Sequence, residues 1–191
     1  MRYRRARNAA LLLGVGLGGF LDGIVLHQIA HWHQMLSARV PPASMEAMKQ
    51  NMVADGWFHL AAWLVTLAGV FLLRSAIRGA GPMTSTRGFT GYLLIGWGAF
   101  NLIEGVIDHH LLDLHHVRDL PEHVPLYDWL FLLLSAGVVI LGFTLRDRLP
   151  PSAALEAERR SASTAALGGS RSRNVKPSIT TATLSNRNSQ S

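Results

Sequence analysis

Nine histidines and a set of carboxylates are the residues in this chain that could do chemistry, and their spacing suits a metal ion. His27 and His31 stand four apart, as do Asp55 and His59, and Glu104 and Asp108. On an α-helix such pairs share a face, so two ligands can reach one ion. Asn101, Glu104, Asp108 and His115 continue one such stripe, with His116 beside it, and Asp128 opens a later apolar run. Imidazole with carboxylate is a donor set for zinc, copper or iron. Cysteine is absent, which excludes a disulfide scaffold, a thiolate site and a cysteine nucleophile. Neither a His-Glu-x-x-His motif nor a phosphate loop is present.

Long apolar runs must position these groups. No charge occurs in residues 8–21, 56–73, 88–103 and 129–145, and each run extends to a length that crosses ~30 Å of hydrocarbon as a helix. The sequence therefore predicts an all-α polytopic membrane protein: a bundle of four transmembrane helices at about 9–33, 55–74, 88–111 and 126–146, within a domain spanning 1–149. The Arg-rich start followed by Ala9 to Leu13 is read as a retained signal-anchor, since the helix carries on past Asp22 without a small-residue cleavage site. No internal repeat is apparent. Glycines 14, 16, 18, 19 and 23 are read as close-packing positions against Gly91, Gly98 and Gly142.

The whole-chain averages conceal this division. A net charge of +6, a pI near 10.7 and a mean hydropathy of +0.21 would suit a basic soluble protein, yet only 16% of the 191 residues are charged. Residues 150–191 hold six basic and two acidic groups, so four of the positive charges belong to a Ser/Thr/Ala-rich tail that is expected to be disordered. No nucleic-acid partner is implied. Arg2, Arg4, Arg5, Arg7, Arg74, Arg78, Arg87, Arg146 and Arg148 cluster at one end of the bundle, which by the positive-inside rule makes both termini cytoplasmic in a bacterial inner membrane.

All nine histidines, and nine of the ten acidic residues before the tail, then fall in the outer half of the membrane or beyond it. An ionisable group at bilayer depth costs about 2.5–3.5 kcal/mol, so three unpaired carboxylates would cost roughly 8–10 kcal/mol. A bound divalent cation would offset that cost. Two other readings are a metal-free polar network with neutral carboxylates, and haem held by His27 with His115 or His116. Met35, Met45, Met48 and Met52 lie around the first outer connection, where a short interfacial helix over 43–54 would give them an anchoring face or a thioether route for copper(I).

Four strings, Gly19–Gln28, Asp55–His59, Asn101–His109 and His115–Arg118, together resemble an uncharacterised bacterial family of predicted four-helix membrane proteins carrying a domain of unknown function. The resemblance covers about residues 10–146. The family's first motif usually runs into Gln-Trp-His-His, whereas this chain has His31-Trp32-His33-Gln34; that departure favours His27 and His33 over His31 as ligands. Association of family members with a membrane protein of cytochrome oxidase copper assembly implies respiratory copper handling, and such a protein as partner beside the lipid bilayer.

These observations lead to an expected transition-metal site at the periplasmic face. His27, His59, Glu104, Asp108 and His115 are the expected ligands, with Asp22, His33, Asp55, Asn101, His116 and Asp128 orienting them from behind. The alternative activities are a zinc-dependent membrane hydrolase acting on a lipid or amide, with Asp22 or Glu104 as general base, and a haem-binding or redox subunit.

Overall fold

The computed structural model describes residues 2–147 and 159–164. Helix α1, Arg2–Leu21, runs without interruption into a π-helical segment, Asp22–Ile29. Helix α2 is Met45–Arg78, α3 is Thr86–Glu104 with a second π-helical segment at Gly105–Leu111, and α4 is Pro125–Leu145. Each start has a local cause. Ser44 accepts from Ala47 N–H and Ser85 from Gly88 N–H, satisfying first-turn donors. Pro125 opens α4, where its missing N–H costs nothing.

Burial decides the environment. Ile29, Leu111, Leu133 and Leu134 are about 70% exposed, whereas Ala6, Ala9, Ala10 and Ala76 are fully buried. Large apolar side chains outside and small residues inside invert a water-soluble core and match helices packed in lipid, where close approach drives association. Four helices, Arg2–Ile29, Met45–Arg78, Thr86–Leu111 and Pro125–Leu145, are long and apolar enough to span a membrane. The first ends four residues before the expected position 33, and α2 begins at Met45, so the expected short helix over 43–54 is the first part of α2. Met45, Met48 and Met52 lie there with their side chains turned outward. The expected disordered tail falls on 150–191, which outside a short helical stretch at 159–164 lies beyond the described residues.

Helices α1 and α3 pack on each other at the centre, with α2 against α1 and α4 against α3. Matching contacts recur on the two sides. A Cβ placed on Gly14 would collide with the Leu93 carbonyl oxygen, and one on Gly96 with that of Leu11. Gly16 faces Ala62 and Thr66 of α2, while Gly98 faces Ser135 and Val139 of α4. Gly69 meets Leu13, and Gly142 meets Ile95. The α1–α2 pair and the α3–α4 pair are thus two copies of one arrangement about a pseudo-two-fold axis between α1 and α3. This corrects the expectation of no internal repeat. The glycines do lie at helix contacts, but Gly14, Gly16, Gly18, Gly19 and Gly23 meet Leu93, Trp97, Ala62, Thr66 and His59 rather than Gly91, Gly98 and Gly142, and Gly91 meets Gly142 across α3 and α4.

Because the α1–α3 crossing leaves no room for a side chain, Gly96→Ala is expected to destabilise the fold by about 1–3 kcal/mol. Gly137→Ala, where a Cβ meets nothing within 4 Å, is the control. Denaturant unfolding in detergent micelles checks this, with a lower midpoint expected for Gly96→Ala alone.

Candidate metal centre

The two π-helical segments build the site. A π-turn brings residues five apart onto one face, and such turns concentrate at functional sites. In the first, His27 Nε2 lies 3.1 Å from Asp22 Oδ2; in the second, His109 Nε2 lies 3.1 Å from Glu104 Oε1. The wider turns are bonded through Ala30 N–H to Val25 O and Leu112 N–H to Ile107 O, at 2.8 and 2.7 Å. Each segment then ends beside a residue with left-handed backbone, His31 and Asp113, both at φ 51°. There the chain turns back, delivering His33 and His115 into the interior, where they are 1% and 0% exposed.

The connections that follow, residues 30–44 and 112–124, cross and bond to each other. Ala38 N–H donates to Leu114 O at 3.0 Å, and Leu120 N–H to Trp32 O at 2.9 Å. His33 Nδ1–H donates to Val117 O at 2.8 Å, and His115 Nδ1–H to Met35 O at 3.2 Å. Met35 N–H donates to Asp55 Oδ1 and Val117 N–H to Asp128 Oδ1, both at 2.8 Å. Asp55 Oδ1 also holds His27 Nδ1 at 3.0 Å, and Asp128 Oδ1 faces His109 Nδ1 at 3.5 Å. Each of these interactions on one side has its counterpart on the other. The roof over the first half is fixed by Asn51, fully buried, which accepts from Leu36 N–H at 3.0 Å and donates to Val40 O at 2.8 Å.

Electrostatically the centre is unbalanced. Asp22, Asp55, Glu104 and Asp128 are all buried, and among the described residues their ion pairs are to histidine only. Burial pushes the His33 imidazole below the ordinary histidine range, so the ring is neutral. With its Nδ1–H committed to Val117 O, its Nε2 carries a lone pair, lacks a hydrogen-bond partner and faces Asp22 Oδ1 at 3.9 Å. His115 repeats the geometry, its Nε2 at 3.0 Å from Glu104 Oε1. A ring nitrogen facing a carboxylate is satisfied by a shared proton or by a metal cation. His27, His33 and His115, and Glu104, His109 and His115, are two sets whose donor atoms lie within 4.8 Å of one another.

Of the residues expected as ligands, the structure brings His27, Glu104 and His115 together. His59 stands apart: its Nδ1–H donates to Asp55 O at 2.7 Å, and its Nε2 lies against Gly23. Asp108 is half-buried beside an open cleft between α2 and α3 rather than in either set. Of the residues expected to orient ligands, Asp22 and His33 point their polar atoms into the centre, while Asp55 and Asp128 stand behind His27 and His109. Asn101 keeps a buried carbonyl oxygen without a hydrogen-bond partner. His116 joins His123 on Asp128 Oδ2, at 3.2 and 3.1 Å, in a third set near the surface. His31 is exposed. Sequence reasoning missed His109 as a donor and the His123 set. The available signal was a shared pattern, an acidic residue and glycine followed by His five residues after the acid and another His six further on, in Asp22-Gly23…His27…His33 and Glu104-Gly105…His109…His115.

Four apolar spans enclosing a polar, histidine-rich centre define a multi-pass membrane protein. The chain belongs to the family described as Predicted membrane protein (DUF2243), whose profile matches residues 9–148. No curated protein and no solved structure shows a significant match to it.

Replacing Asn51 by Ala strands Leu36 N–H and Val40 O, at a cost of about 1–3 kcal/mol. Hydrogen exchange is expected to accelerate across residues 34–40 while the middle of α4 keeps its protection.

Proposed function

We propose that this membrane protein binds a transition metal in the buried His–carboxylate centre. The carrying observation is the pair His33 and His115, whose Nδ1–H groups are spent on backbone carbonyls and whose Nε2 atoms face carboxylates. Carbonyl or carboxylate acceptors behind ring nitrogens are the usual device for orienting a metal-binding histidine. A bound ion would supply Lewis acidity, or redox chemistry if it is iron or copper. Packing favours an ion over haem, since His27–His33, His33–His115 and His109–His115 ring centroids are 4.3, 4.6 and 4.9 Å apart, leaving no slot for a macrocycle.

The donors are nitrogen and oxygen, which suits zinc(II), iron(II) or copper(II) better than copper(I). Copper handling in oxidase assembly, with a copper-assembly membrane protein as partner, is the narrower role carried by the resemblance. The Arg-rich opposite end supports an inner-membrane topology with both termini cytoplasmic and the centre towards the periplasm. Zinc-dependent hydrolysis has one observation in its favour: the cleft of about 370 Å³ between α2 and α3 reaches Glu104, whose Oε2 is buried without a hydrogen-bond partner. An apolar substrate would reach the centre that way, with Glu104 placed to take a proton.

Protein purified in mild detergent should carry at least one equivalent of zinc, iron or copper per chain by elemental analysis. Asp55→Asn, which weakens the acceptor behind His27, should lower metal affinity about 10–100-fold. Trace metal unaffected by a folded His27→Ala, Glu104→Ala double variant would overturn the proposal. Turnover of vesicle lipids by the metal-loaded protein, abolished in Glu104→Gln, would establish the hydrolase; no turnover removes it.

A further inference from the structure

We infer that the centre holds two divalent transition-metal ions, one in each half of the internal duplication. This rests on the proposal that the centre binds metal at all. Each half contributes one carboxylate and two imidazoles: Asp22, His27 and His33 on one side, Glu104, His109 and His115 on the other. In both halves the first histidine turns Nδ1 to an aspartate of the following helix, Asp55 or Asp128, and the second gives its Nδ1–H to a carbonyl of the opposite connection. All four Nε2 atoms are thereby turned towards Asp22 or Glu104. Two imidazoles and one carboxylate are a familiar protein donor set for zinc or non-haem iron.

Charge and unsatisfied atoms agree with a count of two. The carboxylates of Asp22, Asp55, Glu104 and Asp128 carry four negative charges, with no Lys or Arg paired to them among the described residues. Two divalent ions balance that charge without protonated histidine; with one ion, imidazolium would have to supply the rest. Both halves also present buried polar atoms without a hydrogen-bond partner, His33 Nε2 in the first, Glu104 Oε2 and His109 Nδ1 in the second. The two halves adjoin: His33 and His115 stack with centroids 4.6 Å apart and planes within 15°, and His27 and His115 centroids are 5.8 Å apart. Ions held by the two donor sets would therefore be neighbours.

The test titrates cobalt(II) into chelator-treated full-length protein in detergent, counting bound metal and recording electron paramagnetic resonance. Two equivalents per chain, with a signal attenuated by coupling between neighbouring ions, are expected. His27→Ala with His33→Ala should leave one equivalent and an uncoupled signal, and so should His109→Ala with His115→Ala. If either double variant fails to fold, the wild-type count and coupling still decide. One equivalent in the wild type, or two with no coupling, overturns the two-ion centre while metal binding stands; no bound cobalt, zinc or iron overturns both.

Discussion

Four carboxylates buried among apolar helices, with no Lys or Arg paired to them among the described residues, are the constraint on which the rest of this structure depends. Unpaired, each would be costly at that depth, so every element at this end of the bundle supplies a group that faces them. The π-helical segments bring in His27 and His109, the chain reversals at His31 and Asp113 bring in His33 and His115, and the crossing connections set the tautomers of the latter pair through their carbonyls. The opposite end contains no comparable cluster among the described residues. There Tyr3 and Tyr92 share a hydrogen bond of 3.0 Å, and Ser85 holds Asp147, closing the helix ends with ordinary partners.

The duplication explains how one short sequence pattern makes such a centre. The close α1–α3 crossing at Gly14 and Gly96 sets the two π-helical segments side by side, and the outer helices α2 and α4 then back them with Asp55 and Asp128. A single pair of helices would leave His33 without Val117 and His115 without Met35, since each ring is oriented by the other half. Neither half can therefore complete its own donor set, and the two copies must face each other for either to be oriented.

The helices were legible in the sequence because an uncharged run of membrane-spanning length has few other uses, and the one-sided histidines marked the end where the buried polar cluster lies. The ligand set was less legible. Spacing of four assumes an α-helix, which aligns Glu104 with Asp108; the π-helical turn aligns Glu104 with His109 and leaves Asp108 facing the cleft. The same widening pairs Asp22 with His27 and removes the His27–His31 face. His33 and His115 lie beyond the helices, where no periodicity applies and only the chain reversal decides their direction. The repeat escaped notice because it survives in scattered glycines and donors, and because the connection before Asp128 is shorter than that before Asp55.

The two halves are not identical, and they differ in what stands behind the aspartates of α2 and α4. Asp55 Oδ1 is occupied by His27 and Met35 N–H, and among the described residues no histidine pair like His116–His123 stands behind it. Asp128 uses its second oxygen on His116 and His123, whose rings stack 3.8 Å apart, with His123 reaching the surface. Aromatic neighbours do not distinguish the halves, since Phe58 stacks on His27 and Phe131 lies tilted on His109, with centroids 5.7 and 5.5 Å apart. The asymmetry lies instead in the second oxygen of the aspartate, which in Asp128 is turned to a histidine that reaches the surface.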